Sequence, residues 1–198
     1  VMNFRKALLA GCWVVVISST AFAHPQHGLS GSSLGAGFSH PWFGLDHLLA
    51  MIAVGLLSVQ IGGKAIWILP ATFLGMMVVG GTIGMNGVQV QFVEYGIALS
   101  VVALGVALAL GMAYPIVSAA IFLGVFGLMH GHAHGIEMPA MADAVWYASG
   151  VVGATALLHL VGIAVGLSVK NSRRWAPSLR LSGVAISLVG VCLLLGVL

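Results

Sequence analysis

Charge is scarce in this 198-residue chain: Asp, Glu, Lys and Arg together make up 6% of it, and only four residues are acidic. A soluble domain carries roughly 25% charged residues, so a water-exposed surface of ordinary extent is excluded. Cysteine is nearly absent as well. Cys12 lies in the N-terminal stretch and Cys192 near the C-terminus, which leaves no readable disulfide framework. There is no basic-aromatic patch and no glycine loop of the phosphate-cradling kind, so no nucleic-acid partner is expected. The net charge of +3 bears instead on how loops distribute across a membrane.

What the chain has in quantity is apolar sequence, 60% of its residues, with a mean hydropathy of +1.13. Apolar runs of about 18 residues or more recur, each long enough to cross a hydrocarbon layer of ~30 Å. The pattern predicts an all-α membrane protein: a six-transmembrane-helix bundle after a cleaved N-terminal signal peptide. Residues 1–23 form the leader. Arg5 and Lys6 supply its charged start, Ala7 to Ile17 its apolar segment and Ala21-Phe22-Ala23 its cleavage site; an uncleaved anchor is the plainer alternative. Residues 24–39 read as a periplasmic N-terminal segment, Gly/Ser-rich from Gly28 to Gly37, and residues 40–198 as a six-helix transmembrane permease domain. Cleavage after Ala23 would expose His24-Pro25-Gln26-His27, where an α-amine and an imidazole on one residue can chelate a metal. Pro25 lacks the amide hydrogen that a further backbone ligand would need. A loose tail is the competing reading.

Six spans are expected at 40–59, 66–85, 92–111, 115–133, 144–168 and 180–198. Starting outside, they place Lys64, Lys170, Arg173, Arg174 and Arg180 on the cytoplasmic side, as the positive-inside rule requires. The result is a multi-pass protein of the bacterial inner membrane with a periplasmic mature N-terminus. Gly80-x3-Gly84 and Gly162-x3-Gly166 read as surfaces where helices approach closely.

Two polar stretches interrupt the hydrocarbon pattern. One is His40-Pro41-Trp42-Phe43-Gly44-Leu45-Asp46-His47; the other is His130-Gly131-His132-Ala133-His134-Gly135-Ile136-Glu137. A strongly polar side chain costs roughly 2.5–3.5 kcal/mol at the centre of a spanning helix and less near its ends. A bound cation would offset that cost. At 100° per residue, His130, His134 and Glu137 share one helical face and His132 points away. His40 and His47 also share a face but sit about 10 Å apart along a straight helix. They reach one ion only if the backbone bends, and Pro41, suited to a first helical turn, would leave His40 near a cap. Asp46 is either a direct ligand or the partner that holds an imidazole in place.

Nitrogen and oxygen donors without thiolate suit nickel, cobalt, zinc or copper(II). Met51, Met129 and Met138 read as packing residues, and Glu94 and Asp143 as interface or helix-start residues. His159, toward the inner half of its helix, divides evenly between packing and an ion pathway.

At these residues the chain resembles the HupE/UreJ family of bacterial nickel and cobalt permeases. The likeness rests on His24-Pro25, on His40-Pro41-x-x-Gly44-x-Asp46-His47, on His130-Gly131-x-Ala133-His134-Gly135-x-Glu137 and on Leu157-Leu158-His159-Leu160. It implies uptake of Ni²⁺ or Co²⁺, with Zn²⁺ open, for hydrogenase, urease or cobalamin maturation, and no prosthetic group. Carried over by position, the implied metal residues are His40, Asp46, His47, His130, His134 and Glu137; His24 and His159 join them as candidates from the residues themselves. The partners expected are a divalent ion and the lipid bilayer, with a homo-oligomer or an accessory metal-delivery protein left open. The chain is read as no enzyme. A zinc-dependent intramembrane hydrolase using the same His/Asp set is the alternative, and a metal sensor or assembly subunit is a third reading.

Overall fold

A computed structural model describes residues 33–172 and 175–198. The expected leader, its cleavage position, and His24 lie outside the described residues. Among those that are described the structure is wholly helical: α1 (Ser33–Phe43), α2 (Leu45–Ile61), α3 (Ala65–Met85), α4 (Val93–Leu110), α5 (Ile116–Ile136), α6 (Ala144–Lys170) and α7 (Trp175–Leu194). Five of these, α3 to α7, contain stretches long and apolar enough to cross a membrane. A sixth span exists only if α1 and α2, bent by 83° at their junction, are counted as one.

The boundaries of α3 to α6 fall close to the expected ones, because long apolar runs end where glycine, proline or a capping residue interrupts them. Asp143 caps α6, its carboxylate accepting from the amides of Val145 and Trp146 at 3.0 Å each. α2 and α4 end at Gly62 (φ +80°) and Gly111 (φ +63°), backbone that glycine adopts without a steric penalty.

The first expected span differs. Instead of one helix over 40–59, the chain is helical from Ser33 and breaks at Gly44. Pro41 therefore lies in the last turn of α1, not in a first turn, and His40 is intrahelical, not a cap. The Gly/Ser-rich sequence ahead of His40 is helical because tertiary contacts hold it. Gly37 of α1 lies against the Tyr147 carbonyl of α6, and Gly150 of α6 lies against the Leu34 carbonyl. The Asp143 amide also donates to the Ser33 hydroxyl at 2.8 Å, tying the starts of the two helices together. A short helix is marginal by propensity and is stabilised chiefly by such packing.

Glycine contacts recur through the bundle. On α3, Gly80 faces the Leu128 carbonyl and Gly84 the His132 carbonyl, while Gly131 of α5 faces the Met77 carbonyl. Gly162 of α6 packs on α2, where an added Cβ would lie 3.0 Å from the Gly55 Cα, and Gly166 meets Val59. The two expected glycine pairs are thus packing surfaces. The Lys170 amine lies beside Gly62 and the Arg180 guanidinium beside Gly111, so basic groups gather at one end. Asp46, Glu94, Glu137 and Asp143 stand at the starts of α2, α4 and α6 and just past the end of α5, which is the opposite end of the bundle.

Candidate metal centre

The break at Gly44 solves the distance that separated His40 from His47. With α1 and α2 at 83°, His40 in the last turn of one and His47 in the first turn of the other have ring centroids 6.4 Å apart. Gly44 bears on the site through space and not through backbone strain, since its φ of −86° is open to any residue. A Cβ at this position would press at 3.0 Å on both the Asp46 Oδ1 and the His47 Nδ1.

Helix α5 supplies the opposite wall. His130 and His134 occupy its last two turns, with Glu137 immediately after. The His47 ring lies 5.0 Å from that of His130 and 4.5 Å from that of His134; the His40 ring lies 5.0 Å from that of His134. His134 is therefore common to two groups. The outer one is His40, His134 and Glu137, whose donor atoms all lie within 4.8 Å of one another. The deeper one is His47, His130 and His134. Glu137 remains partly open to solvent, whereas His130 is fully buried and His134 nearly so.

Hydrogen bonds fix how the imidazoles present themselves. The Phe126 carbonyl can only accept, so at 2.9 Å it receives the Nδ1–H of His130. That leaves the His130 Nε2 with its lone pair free. Asp46 does the same for His47: its Oδ1 lies 2.8 Å from the His47 Nδ1 and 2.7 Å from the His47 amide. The carboxylate thus orients the ring and directs Nε2 away from itself, the arrangement common behind metal-binding histidines. The Nε2 atoms of His47 and His130 and both ring nitrogens of His134 are buried without a hydrogen-bond partner. Leaving one such group unpaired costs about 1–3 kcal/mol, and here three rings each bring an unpaired nitrogen to one place. A divalent cation bound by one lone pair from each of the three rings would offset that cost for those three nitrogens. Asp46 and Glu137 would supply the balancing charge, Glu137 at its His40 contact of 2.8 Å.

The remaining candidates divide. His132 points away as the helical period requires, its Nε2 meeting the Val88 carbonyl at 2.7 Å across the α3–α4 loop. His159 is buried on α6 but not in the cluster; its ring and that of His130 each lie 5.4 Å from the Phe73 ring. Met51 lies in the apolar core, Met138 packs against that core, and the Met129 thioether fills the space beside Gly96. Sequence reasoning passed over Tyr147, which sets its ring 6.2 Å from His40 and which nothing in the local sequence marks. Glu94, expected as an interface or helix-start residue, shares a cleft of about 320 Å³ with Glu137 at the mouth.

The family model described as HupE / UreJ protein matches residues 12–193. A protein of Rhizobium leguminosarum bv. viciae named Protein HupE is 40% identical over 183 residues, covering 92% of this chain and 95% of its own length. No solved structure matches.

Proposed function

The chain belongs to the HupE/UreJ family, and from that premise we propose that it is a permease of the bacterial inner membrane that takes up Ni²⁺ or Co²⁺ from the periplasm. The family is associated with nickel and cobalt transport. A leader over residues 1–23, a periplasmic segment over 24–39 and a permease domain over 40–198 complete this reading, with the metal serving hydrogenase, urease or cobalamin maturation. The observation that carries it is the convergence of His40, His47, His130 and His134 from three helices at the acidic end of the bundle.

Residues do the following in this reading. Glu137 and His40 meet the hydrated ion at the mouth, where Glu94 adds negative potential. His134 receives it, and His47 and His130 replace further water with Nε2 lone pairs. Asp46 holds His47 in the right tautomer and offsets part of the ionic charge. Mixed nitrogen and oxygen donors suit Ni²⁺ and Co²⁺. The cluster is built from one chain, so capture needs no second subunit. A membrane potential of 100 mV, inside negative, supplies about 4.6 kcal/mol for a divalent ion, at ~2.3 per charge. That supports more than a thousandfold accumulation without nucleotide. The hydrolase alternative has no observation in its favour.

Uptake of ⁶³Ni and ⁵⁷Co into cells expressing the full-length chain, His47→Ala and His134→Ala tests the reading. Accumulation lost in both variants at normal membrane content is the expected result. Undiminished accumulation in either one refutes it.

A further inference from the structure

Below the cluster, His159 is the one buried imidazole among the described residues. That residue is 1% exposed and both of its ring nitrogens are without a hydrogen-bond partner. A site needing only bulk would be filled by leucine, as it is at the neighbouring Leu158 and Leu160, whereas an unpaired buried imidazole costs stability. One side chain touches both His159 and the cluster. Phe73, on α3, is fully buried, with its centroid 5.4 Å from that of His130 and 5.4 Å from that of His159. Among the described residues no other ring pairs with His159. One helical turn outward on the same two helices, the Thr155 hydroxyl donates to the Met77 thioether at 3.7 Å. The Thr155 hydroxyl and the Met77 thioether thus lie one turn to the cluster side of Phe73 and His159.

We infer that the transmembrane route holds two ion positions divided by the Phe73 ring: the outer cluster, and an inner one whose protein ligand is His159. The ion crosses when the ring swings aside, so the two positions are not open to each other at rest. This rests on the permease reading and adds a division to it. The chemistry follows from the donor count. The outer position offers several imidazoles and carboxylate charge and binds firmly; the inner one offers a single imidazole and binds weakly. A descending series of that kind lets an ion leave a strong site, since passage demands that binding be weak enough to release. The ring cannot ligate the ion and so acts as a barrier whose height depends on its size.

The test uses purified full-length protein in two settings: Co²⁺ affinity by calorimetry in detergent, and Co²⁺ uptake into liposomes holding a Co²⁺-quenched dye. His159→Ala is expected to slow uptake at least about tenfold, equivalent to ~1.4 kcal/mol on the barrier, while its strongest Co²⁺ affinity stays within about twofold of the original. His159→Cys retains a donor atom and is expected to recover most of the uptake and to become blocked by Cd²⁺. Phe73→Ala is expected to take up Co²⁺ at least as fast as the original chain. Unaltered uptake in His159→Ala overturns the inference. So does equal failure of the Cys and Ala variants at an unchanged melting temperature, or loss of outer affinity in His159→Ala. Slower uptake in Phe73→Ala overturns the barrier role. An original chain that admits no Co²⁺ overturns the permease reading, and the two-position inference with it; normal uptake in the original beside an unaffected His159→Ala overturns the inference alone.

Discussion

The two ends of the bundle are built on opposite principles. At one end every acidic residue of the chain, Asp46, Glu94, Glu137 and Asp143, accompanies four mutually facing imidazoles. At the other, Lys64, Lys170 and Arg180 border an interior with no histidine or acidic side chain below His159 among the described residues. The acidic end lowers the energy of a cation and the basic end raises it, so the first suits capture and the second release. The same contrast separates rigidity from chemistry. Glycine contacts between backbones run along the helices, while the clustered donor atoms lie where α1, α2 and α5 meet.

The largest effect expected from breaking this contrast is at His134, which belongs to both the outer and the deeper group. His134→Ala should cut ⁶³Ni accumulation by about a hundredfold or more, and His40→Ala, which touches only the outer group, by roughly tenfold. Each tenfold step is about 1.4 kcal/mol of lost stabilisation. Equal losses in the two variants would show that the groups do not share a member.

Next in size is a purely structural change. An added methyl on Gly131 runs into the Met77 carbonyl, whereas Gly75 on the neighbouring helix has nothing within 4 Å. Gly131→Ala should destabilise the bundle by about 1–3 kcal/mol or more, seen as a lower melting temperature of the purified protein. Gly75→Ala should leave it unchanged or slightly raised, since alanine is the better helix former. A neutral Gly131→Ala would mean that α3 and α5 do not press together as described.

How much of this was readable beforehand depended on the physical signal available. Hydrophobic run length marked α3 to α6 within a few residues, and the 3.6-residue period correctly grouped His130, His134 and Glu137 while turning His132 away. The break at Gly44 was readable only as a condition, because 40–59 looks like one uninterrupted apolar run. α1 was not readable at all. Its Gly/Ser composition signals a loose segment, and the backbone of α6 that makes it helical lies more than a hundred residues away. Phe73 and Tyr147 were equally hidden, since an aromatic facing an imidazole has the same sequence signature as one facing lipid.

A smaller loss is expected at Asp46, which lies behind a ligand and is not itself part of the outer donor group. Asp46→Asn keeps the shape and an acceptor oxygen but removes the charge that strengthens the bond from the His47 Nδ1–H. Removing such a supporting carboxylate typically weakens metal affinity 10–100-fold. Calorimetry with Ni²⁺ should show that loss with little change in melting temperature. A drop as complete as that of His134→Ala would instead place Asp46 among the direct ligands.

The smallest effect should come from the histidine that looks most like a ligand in the sequence and is not placed as one. His132 lies between His130 and His134 but donates to the Val88 carbonyl at 2.7 Å, pinning the α3–α4 loop to α5. His132→Ala removes one hydrogen bond and leaves the carbonyl to find water, a cost of about 1–3 kcal/mol if the group stays buried. Because no ring nitrogen of His132 faces the cluster, ⁶³Ni uptake should stay within about twofold of the original, with stability alone reduced. His132→Gln should regain part of the lost stability, as its amide can donate to the same carbonyl. An uptake defect that persists in His132→Gln at restored stability would assign His132 to the ion's route, and the acidic end would then contain five participating imidazoles instead of four.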